Sequence, residues 1–434
     1  QLDTTLSLAL ITNEPFKWTR QVQIPENTSL TAPYWLTKKG SLGLYNVEDQ
    51  AIIGNPETTR TLKTTFFLSV YGVDIPYEKE LVYKFNSPEN GETYRPLEIV
   101  PPLSLQVKEP VYIFPNKESK EIKVTVHAWA KDQKGTINIP LPQGWSISPQ
   151  SIDFTIAQKG ESKDFVFTIT PSAINEEINI SPQVIADGKI YNGQIIDINY
   201  DHIPFQTVLM QAESKLSRIN IDTRGRRIAY VMGAGDEIPA SLRQIGYIVD
   251  ILKPEDISPE RLNGMDALIF GVRTYNTEEN LKFKQNIIFE YVKNGGNVII
   301  QYNTANGLVT KDLAPFPLTI SRNRVTVEEA EMRFLNPDHA VLNFPNKITQ
   351  KDFEGWVQER GLYFPGEWDT QFTPIFSCND PGETPQDGSL LVAKYGEGYY
   401  MYTGLSFFRQ LPAGVSGAFR LFSNMISIGQ NVQP

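Results

Sequence analysis

Asp266-Ala-Leu-Ile-Phe-Gly-Val-Arg-Thr-Tyr-Asn276 and, after a polar-apolar segment, Asn294-Gly-Gly-Asn-Val-Ile-Ile-Gln-Tyr-Asn-Thr304 decide how this chain is read. Two apolar runs, Ala267 to Val272 and Val298 to Ile300, each end abruptly in polar residues. Between them Leu281, Ile288 and Val292 recur at helical spacing, and Gly295-Gly296 stops the helix as C-cap glycines do. The pattern predicts a β-α-β unit with two buried parallel strands. Ligands of open α/β sheets sit at the carboxyl ends of such strands. Arg273, Tyr275, Asn276, Gln301, Tyr302 and Asn303 all fall there.

The same alternation extends outward from this stretch. Ile228-Ala-Tyr-Val-Met is a short apolar strand and Gly233-Ala-Gly a tight turn. Asp236 is a candidate N-cap, with Pro239 in the first helical turn. Ile238, Leu242 and Ile245 form a stripe that Gly246 ends. Ser389 to Tyr395 and Tyr399 to Gly404 read as a hairpin over Gly396-Glu-Gly, and a last helix carries Phe419, Phe422 and Ile426. Residues 305–388 are a long, proline-rich insertion with little regular pattern, of the kind that often serves function. Upstream, residues 1–104 read as β, with segments 2–11, 64–71 and 79–85 rich in Val, Thr, Tyr and Phe. Residues 105–200 repeat the style, with clean alternation in Ile122-Lys-Val-Thr-Val-His-Ala-Trp and Phe165-Val-Phe-Thr-Ile. Short strands at regular spacing suggest β-sandwiches. Residues 201–225 read as a linker into an α/β domain over 226–434.

The 434 residues call for two to four domains. Apolar content of 40% and charged content of 21% fit a soluble globular protein. The formal charge of -10 opposes a nucleic-acid or anionic-membrane surface, and no apolar run reaches the length of a membrane span. A single cysteine, Cys378, excludes an internal disulfide and a cysteine-rich metal site. The sequence begins Gln1-Leu-Asp-Thr-Thr, without a charged n-region or an apolar h-region; it reads as a mature terminus or as the boundary of a longer chain.

Candidate chemistry is sparse. Gly233-Ala-Gly-Asp after a strand is either a phosphate cradle or a tight turn with an N-cap; it lacks the third glycine of a dinucleotide fingerprint and the lysine of a P-loop. Arg273 at a strand end must meet a carboxylate or face a cleft that takes an anionic or hydroxyl-rich ligand. Cys378 lies in a loop, His339 is the only histidine of 226–434, and no Gly-x-Ser-x-Gly elbow exists. His127 and His202 read as structural, so no zinc cluster is expected. Glu359, Glu367 and Asp369 near aromatics leave glycoside chemistry open, with solvated loop charges as the alternative.

Tyr34-Trp-Leu, Gly54-Asn-Pro-Glu, Tyr94-Arg-Pro-Leu-Glu-Ile, Gly144-Trp, Gly233-Ala-Gly-Asp, Arg273-Thr-Tyr-Asn, Gln301-Tyr-Asn-Thr, Trp356-Val-Gln-Glu-Arg-Gly-Leu-Tyr-Phe and Phe408-Arg-Gln-Leu-Pro-Ala-Gly carry a resemblance. In number and order they resemble the region downstream of the catalytic domain in large bacterial LmbE-like (PIG-L family) deacetylases. The part from Arg227 to Ile428 resembles the class I glutamine amidotransferase-like fold, and 105–200, with Leu141-Pro-Gln-Gly-Trp, resembles the NEW-type Ig-like modules of carbohydrate-active enzymes. The resemblance implies two N-terminal Ig-like β-sandwiches, 1–104 and 105–200, followed by a flavodoxin-like doubly wound parallel sheet. Two departures stand out. The Ala-His-Pro-Asp-Asp type zinc motif is missing, and the amidotransferase elbow and His-x-Glu positions read Gln301-Tyr-Asn-Thr and Gly404-Leu-Ser-Phe-Phe. The expected function is therefore accessory: binding or positioning a carbohydrate or glycoconjugate for a covalently linked upstream zinc-dependent N-acetylglucosamine-type deacetylase domain, with zinc and catalysis outside this chain. The expected setting is periplasmic or extracellular. Glu359, Arg360 and Arg409 join Asp236, Arg273, Tyr275, Asn276, Gln301, Tyr302 and Asn303 as candidate ligand-binding residues. The rival expectations are a hydrolase with an acid/base pair near Glu359 and Asp369, or a purely structural or oligomerising module.

Overall fold

The computed structural model describes residues 4–5, 11–25, 27–41, 43–60 and 62–429. Most of the expected strand over 2–11 lies outside the described residues. The chain divides into two compact units, residues 1–104 with 193–210, and residues 105–192 with 211–434.

The first unit holds hairpins rather than a sandwich. Lys63–Val70 pairs antiparallel with Val73–Glu80, and Val82–Ser87 with Gly91–Pro96. High β-propensity makes these strands, but no second sheet covers them: Phe67, Tyr71 and Tyr83 are exposed. Among the described residues up to 102 only Pro33 is buried. The expected sandwich core over 1–104 is thus not formed. Arg60 and Glu98, 2.7 Å apart, form the best-covered ion pair among the described residues of the unit.

In the second unit, residues 103–192 form two four-stranded antiparallel sheets. One joins Leu103–Val107, Lys120–Ala128, Ser162–Thr170 and Ser146–Ser148; the other joins Ser151–Ile156, Gln133–Asn138, Gln183–Ala186 and Lys189–Tyr191. Period-two alternation is visible in burial, since Ile122, Val124, Val126 and Ala128 are inside while their neighbours are not. Residues 201–225, expected as a linker, contain the strand Ser214–Arg218, which pairs with both Glu176–Ile180 and Val111–Phe114.

A seven-stranded sheet organises the rest. Its order is Ile248–Leu252, Arg227–Val231, Ala267–Phe270, Asn297–Ile300, Gly398–Thr403, Leu390–Tyr395, Phe372–Pro374. The first five run parallel, and the last two are antiparallel additions. Alternate side chains bury both faces. Ile228, Tyr230, Ile269 and Met401 meet Phe419, Phe422 and Ile426 of the helix Ser416–Ser427, while Val231, Phe270, Ile300 and Tyr400 meet Ile288 and Val292 of the helix Gln285–Lys293.

This architecture corrects the expected fold class. The chain is 38% strand and 15% helix and is built from many small sheets, so it is not the flavodoxin-like, glutamine amidotransferase-like doubly wound parallel α/β sheet inferred from the sequence. The physical reason lies in the connections. A parallel pair needs a long crossover, usually a helix, but most helices here are a single turn or two. The last crossover, 301–397, is mainly extended: within it Leu318–Val325 pairs with Gly361–Trp368. Among the described residues no helix is long and apolar enough to cross a membrane.

Gly417 seats the last helix. A Cβ there would stand 1.9 Å from the Asp352 carbonyl oxygen. Gly417→Ala is expected to lower stability by about 2 kcal/mol or more, because the backbone must move apart to admit the methyl. Denaturant titration checks this, and an unchanged midpoint refutes the close contact.

Candidate functional site

The polar residues at the strand ends divide into an internal network and an exposed surface. The network begins at Tyr230, at the end of its strand. Its hydroxyl donates to Asp236 (2.7 Å to Oδ1) and accepts from the Gln301 amide at 2.9 Å. Asp236 also takes the amides of Ile238 at 3.1 Å and Val272 at 3.3 Å. The helix Ile238–Gln244 is N-capped at Glu237, not at Asp236 as expected. Burial pushes the Asp236 carboxyl above its ordinary range, with these donors opposing the shift, and it pushes the Tyr230 phenol well up.

Asn303 continues the network. Its Oδ1 accepts from the Tyr275 amide at 2.8 Å, its Nδ2 donates to the Gln301 carbonyl at 2.9 Å, and its own amide donates to the Tyr402 hydroxyl at 3.2 Å. Tyr275 is fully buried, its hydroxyl 3.4 Å from Gln285 Oε1. Asn276 is spent on the backbone of the next loop: it donates to the Thr304 and Asn306 carbonyls and accepts from the Thr304 amide. Arg360 is buried as well. It donates to the Ala330 and Phe353 carbonyls at 2.9 and 2.6 Å and lies over the Phe353 and Trp356 rings. Six of the ten sequence candidates, Asp236, Tyr275, Asn276, Gln301, Asn303 and Arg360, therefore hold the scaffold together.

The other four come together at the surface. Tyr302 stacks on Tyr363 with ring centres 5.8 Å apart and planes 10° apart, and its other neighbour is Phe408 at 5.3 Å. The Arg409 guanidinium lies 4.8 Å over Phe408 and pairs with Glu359 at 2.7 Å. Burial raises the Tyr302 phenol, while the positive charges of Arg273 and Arg409 act to lower it, and the Arg273 amide donates to the Tyr302 carbonyl at 2.8 Å. Arg273 is exposed and makes no side-chain hydrogen bond or ion pair with a described residue.

Beside this aromatic row lies a cavity of about 480 Å³, lined by Arg322, Arg324, Glu359, Leu362, Tyr363 and the loop 304–306. Its wall is the pair Leu318–Val325 and Gly361–Trp368, and the register of that pair breaks where the cavity is lined. Asn323 faces Phe364 and Arg324 faces Leu362, leaving Tyr363 as an extra residue; Ser321 and Arg322 are extra on the opposite strand. Bulges of this kind re-aim side chains and recur beside functional sites. Sequence reading missed Arg322, Arg324 and Tyr363. The Arg-x-Arg spacing at 322–324 was the available signal, but no period marked the segment as a strand.

Backbone strain gathers at the same place. Arg273, Gln358 and Tyr363 have φ of 58°, 68° and 52°, and they are the only non-glycine residues with positive φ among the described residues of 226–434. Left-handed non-glycine residues cost on the order of 1–3 kcal/mol each and cluster at binding sites. Gln358 also accepts a hydrogen bond from Arg409.

The remaining candidates for chemistry are engaged elsewhere. Cys378 is buried, and its thiol is pushed up to about 12 by burial. His339 Nδ1 accepts the Val341 amide at 3.2 Å and caps a single helical turn. Asp369 accepts the Gln371 amide at 2.9 Å in a turn and does not line the cavity. The Gly233-Ala-Gly turn uses its Ala234 amide on the Val272 carbonyl at 2.9 Å, and a Cβ on Gly233 would stand 2.3 Å from that oxygen. It is a close-packed turn. A larger cavity of about 580 Å³ lies near Glu177, Arg218 and Arg420, where Lys215 pairs with Glu177 at 2.6 Å and Arg420 with Asp352 at 2.8 Å. Among the described residues no three His, Cys, Asp or Glu side chains form a metal-ligand group.

No family model matches the chain, and no curated protein matches it. Solved structures match over parts only. Escherichia coli alpha-2-macroglobulin is 8% identical over 30% of this chain and 7% of its own, with a TM-score of 0.20. A family 123 glycoside hydrolase from Clostridium perfringens is 10% identical over 51% of this chain and 42% of its own, at 0.18. A protein from Porphyromonas gingivalis W83 is 9% identical over 30% of this chain and 60% of its own, also at 0.18. The chain thus spans less than half the length of the first two, and scores this low carry no argument about fold or function. The predominantly β architecture overturns the amidotransferase-like and flavodoxin-like attributions drawn from the sequence, and no finding supports the PIG-L, LmbE-like one.

Two outcomes test this division. Tyr230→Phe leaves the buried Asp236 carboxylate and the Gln301 amide each short of a partner. It is expected to cost about 1–3 kcal/mol in denaturant unfolding, and a neutral result refutes the scaffold role. Cys378, buried and with its thiol pushed up by burial, is expected to resist thiol reagents at pH 8 until the chain is unfolded. Stoichiometric labelling of the native protein contradicts its burial.

Proposed function

We propose that this chain is a non-catalytic binding module whose strand-end cleft takes a carbohydrate, positioning it for a catalytic domain outside the residues in hand. The observation that carries the reading is the half-buried aromatic row Tyr363–Tyr302–Phe408, set by a bulge against a cavity with guanidinium and amide groups at its rim. Aromatic faces meet the C–H face of a sugar ring, while fixed donors meet its hydroxyls. The cavity's volume, about 480 Å³, falls within the range of small-ligand sites.

The rival hydrolase reading needs a free acid and base. The cavity's one carboxylate, Glu359, is committed to Arg409, and Asp369 is turned into a local hydrogen bond. General acid–base work requires a group within reach of the bond to be cut and free to carry the proton. The lining supports recognition better than turnover.

A glycan array probed with the full chain, followed by titration of the strongest hits, tests the proposal. Tyr302→Ala is expected to weaken binding about tenfold, the worth of one aromatic contact of about 1.4 kcal/mol. Arg273→Gly separates binding from folding. Glycine adopts the left-handed conformation freely, so stability is expected to hold or to rise by up to about 1 kcal/mol, while affinity falls. If Arg273→Gly destabilises the chain and leaves affinity untouched, Arg273 belongs to the scaffold. If no glycan binds, the reading fails.

A further inference from the structure

We infer that the ligand of this cleft is an acidic saccharide, one whose rings carry carboxylate or sulfate groups. This rests on the carbohydrate reading above and adds its charge. Four guanidinium groups gather at the site. Arg322 and Arg324 line the cavity, Arg409 pairs with Glu359 of its lining, and the Arg273 amide donates to the Tyr302 carbonyl at 2.8 Å. One carboxylate, Glu359, lines the cavity, and it is already paired with Arg409. Arg273, Arg322 and Arg324 make no side-chain hydrogen bond or ion pair with a described residue. Arg324 acts at a distance on Asp380, but that carboxylate is satisfied by the Thr326 and Val327 amides and the Thr326 hydroxyl.

Solvated surface arginines are ordinary. These differ in how they are placed. Arg322 is an extra residue of a bulge and Arg273 is held left-handed, so the fold gives up ladder hydrogen bonds and backbone ease at the positions that present the charge. The planar guanidinium fork matches carboxylate and sulfate oxygens two at a time. A ring stacked on Tyr302 or Tyr363 would bring its acidic substituent to that fork. The chain's formal charge of -10 repels a long polyanion, whereas a short acidic oligosaccharide engages the local charges alone.

The test titrates the full chain with uronic-acid oligosaccharides and sulfated oligosaccharides, each beside its carboxyl-reduced or desulfated counterpart. The expected result is that an acidic form binds at least about tenfold tighter than its neutral counterpart and weakens as salt is raised. Carboxyl reduction abolishing the preference identifies carboxylate as the recognised group; desulfation abolishing it identifies sulfate. Arg322→Gln with Arg324→Gln is expected to remove the preference, weakening the acidic form at least about tenfold more than the neutral one, with the melting temperature unchanged. Neutral forms binding as tightly as acidic ones overturn this inference and leave the carbohydrate reading standing. Binding of none of the saccharides, or tighter binding of a single-stranded oligonucleotide than of any of them, overturns both.

Discussion

The hydroxyl of Tyr230, donating into the Asp236 carboxylate while accepting from Gln301, is the contact on which the strand-end edge depends. The central strands of the seven-stranded sheet are apolar and covered on both faces, and the segments at their ends are tied together by buried polar groups. A buried carboxylate is costly unless its oxygens are met, and Asp236 is met by one hydroxyl and two amides drawn from three segments. Gly271 makes room for this: a Cβ there would stand 2.8 Å from Asp236 Oδ2 and 3.1 Å from the Tyr230 hydroxyl. Gln301 and Asn303 then pass the constraint along the next loop, through Tyr275 and Tyr402, to the carbonyl of Tyr363. The half-buried aromatic row is thus anchored through hydrogen bonds among buried groups.

That layering explains what the sequence could and could not convey. The polar residues after Val272 and Ile300 were legible as strand ends because apolar runs stop there. Which of them turn inward was not legible. Arg273 is left-handed, and the turn that follows buries Thr274 and Tyr275 while Arg273 stays out. A single residue's φ, invisible in composition, sorts scaffold from surface. Arg360, a candidate ligand-binding residue from the sequence, is turned inward as well: Phe353 and Trp356 enclose its guanidinium in the core. The bulged wall could not be read at all, because Arg322 and Tyr363 acquire their places from pairing between segments some forty residues apart with a broken register. The fold class failed at the connections. Helical spacing in 281–292 was extrapolated to the whole C-terminal half, where extended segments and single turns prevail.

Strain and charge at the cleft share one origin. A strand pair in perfect register would alternate its side chains evenly and leave no concavity. The three offsets between Leu318–Val325 and Gly361–Trp368 break the pair's regular alternation beside the cavity that Arg322 and Tyr363 line. Tyr363 stays left-handed because its carbonyl is held by the Tyr402 hydroxyl at 3.1 Å and its ring by Tyr302. Strain of this kind persists only where surrounding contacts over-determine it. Here those contacts come from the rigid sheet, which does not need the bulge for its own stability.

An acidic chain can carry a basic cleft without contradiction. At physiological ionic strength charges more than about 8 Å apart through solvent are largely screened. The net charge therefore governs the approach of large polyanions, while the four arginines govern what happens inside the cleft. Glu359 has a part in that local balance. By neutralising Arg409, it fixes the guanidinium over Phe408 and leaves the excess positive charge on the cavity side, with Arg322, Arg324 and Arg273. A residue that the sequence suggested as a catalytic acid thus serves to orient a cation. The anchored aromatic row and the guanidinium groups give the proposed site its two criteria, ring face and charge.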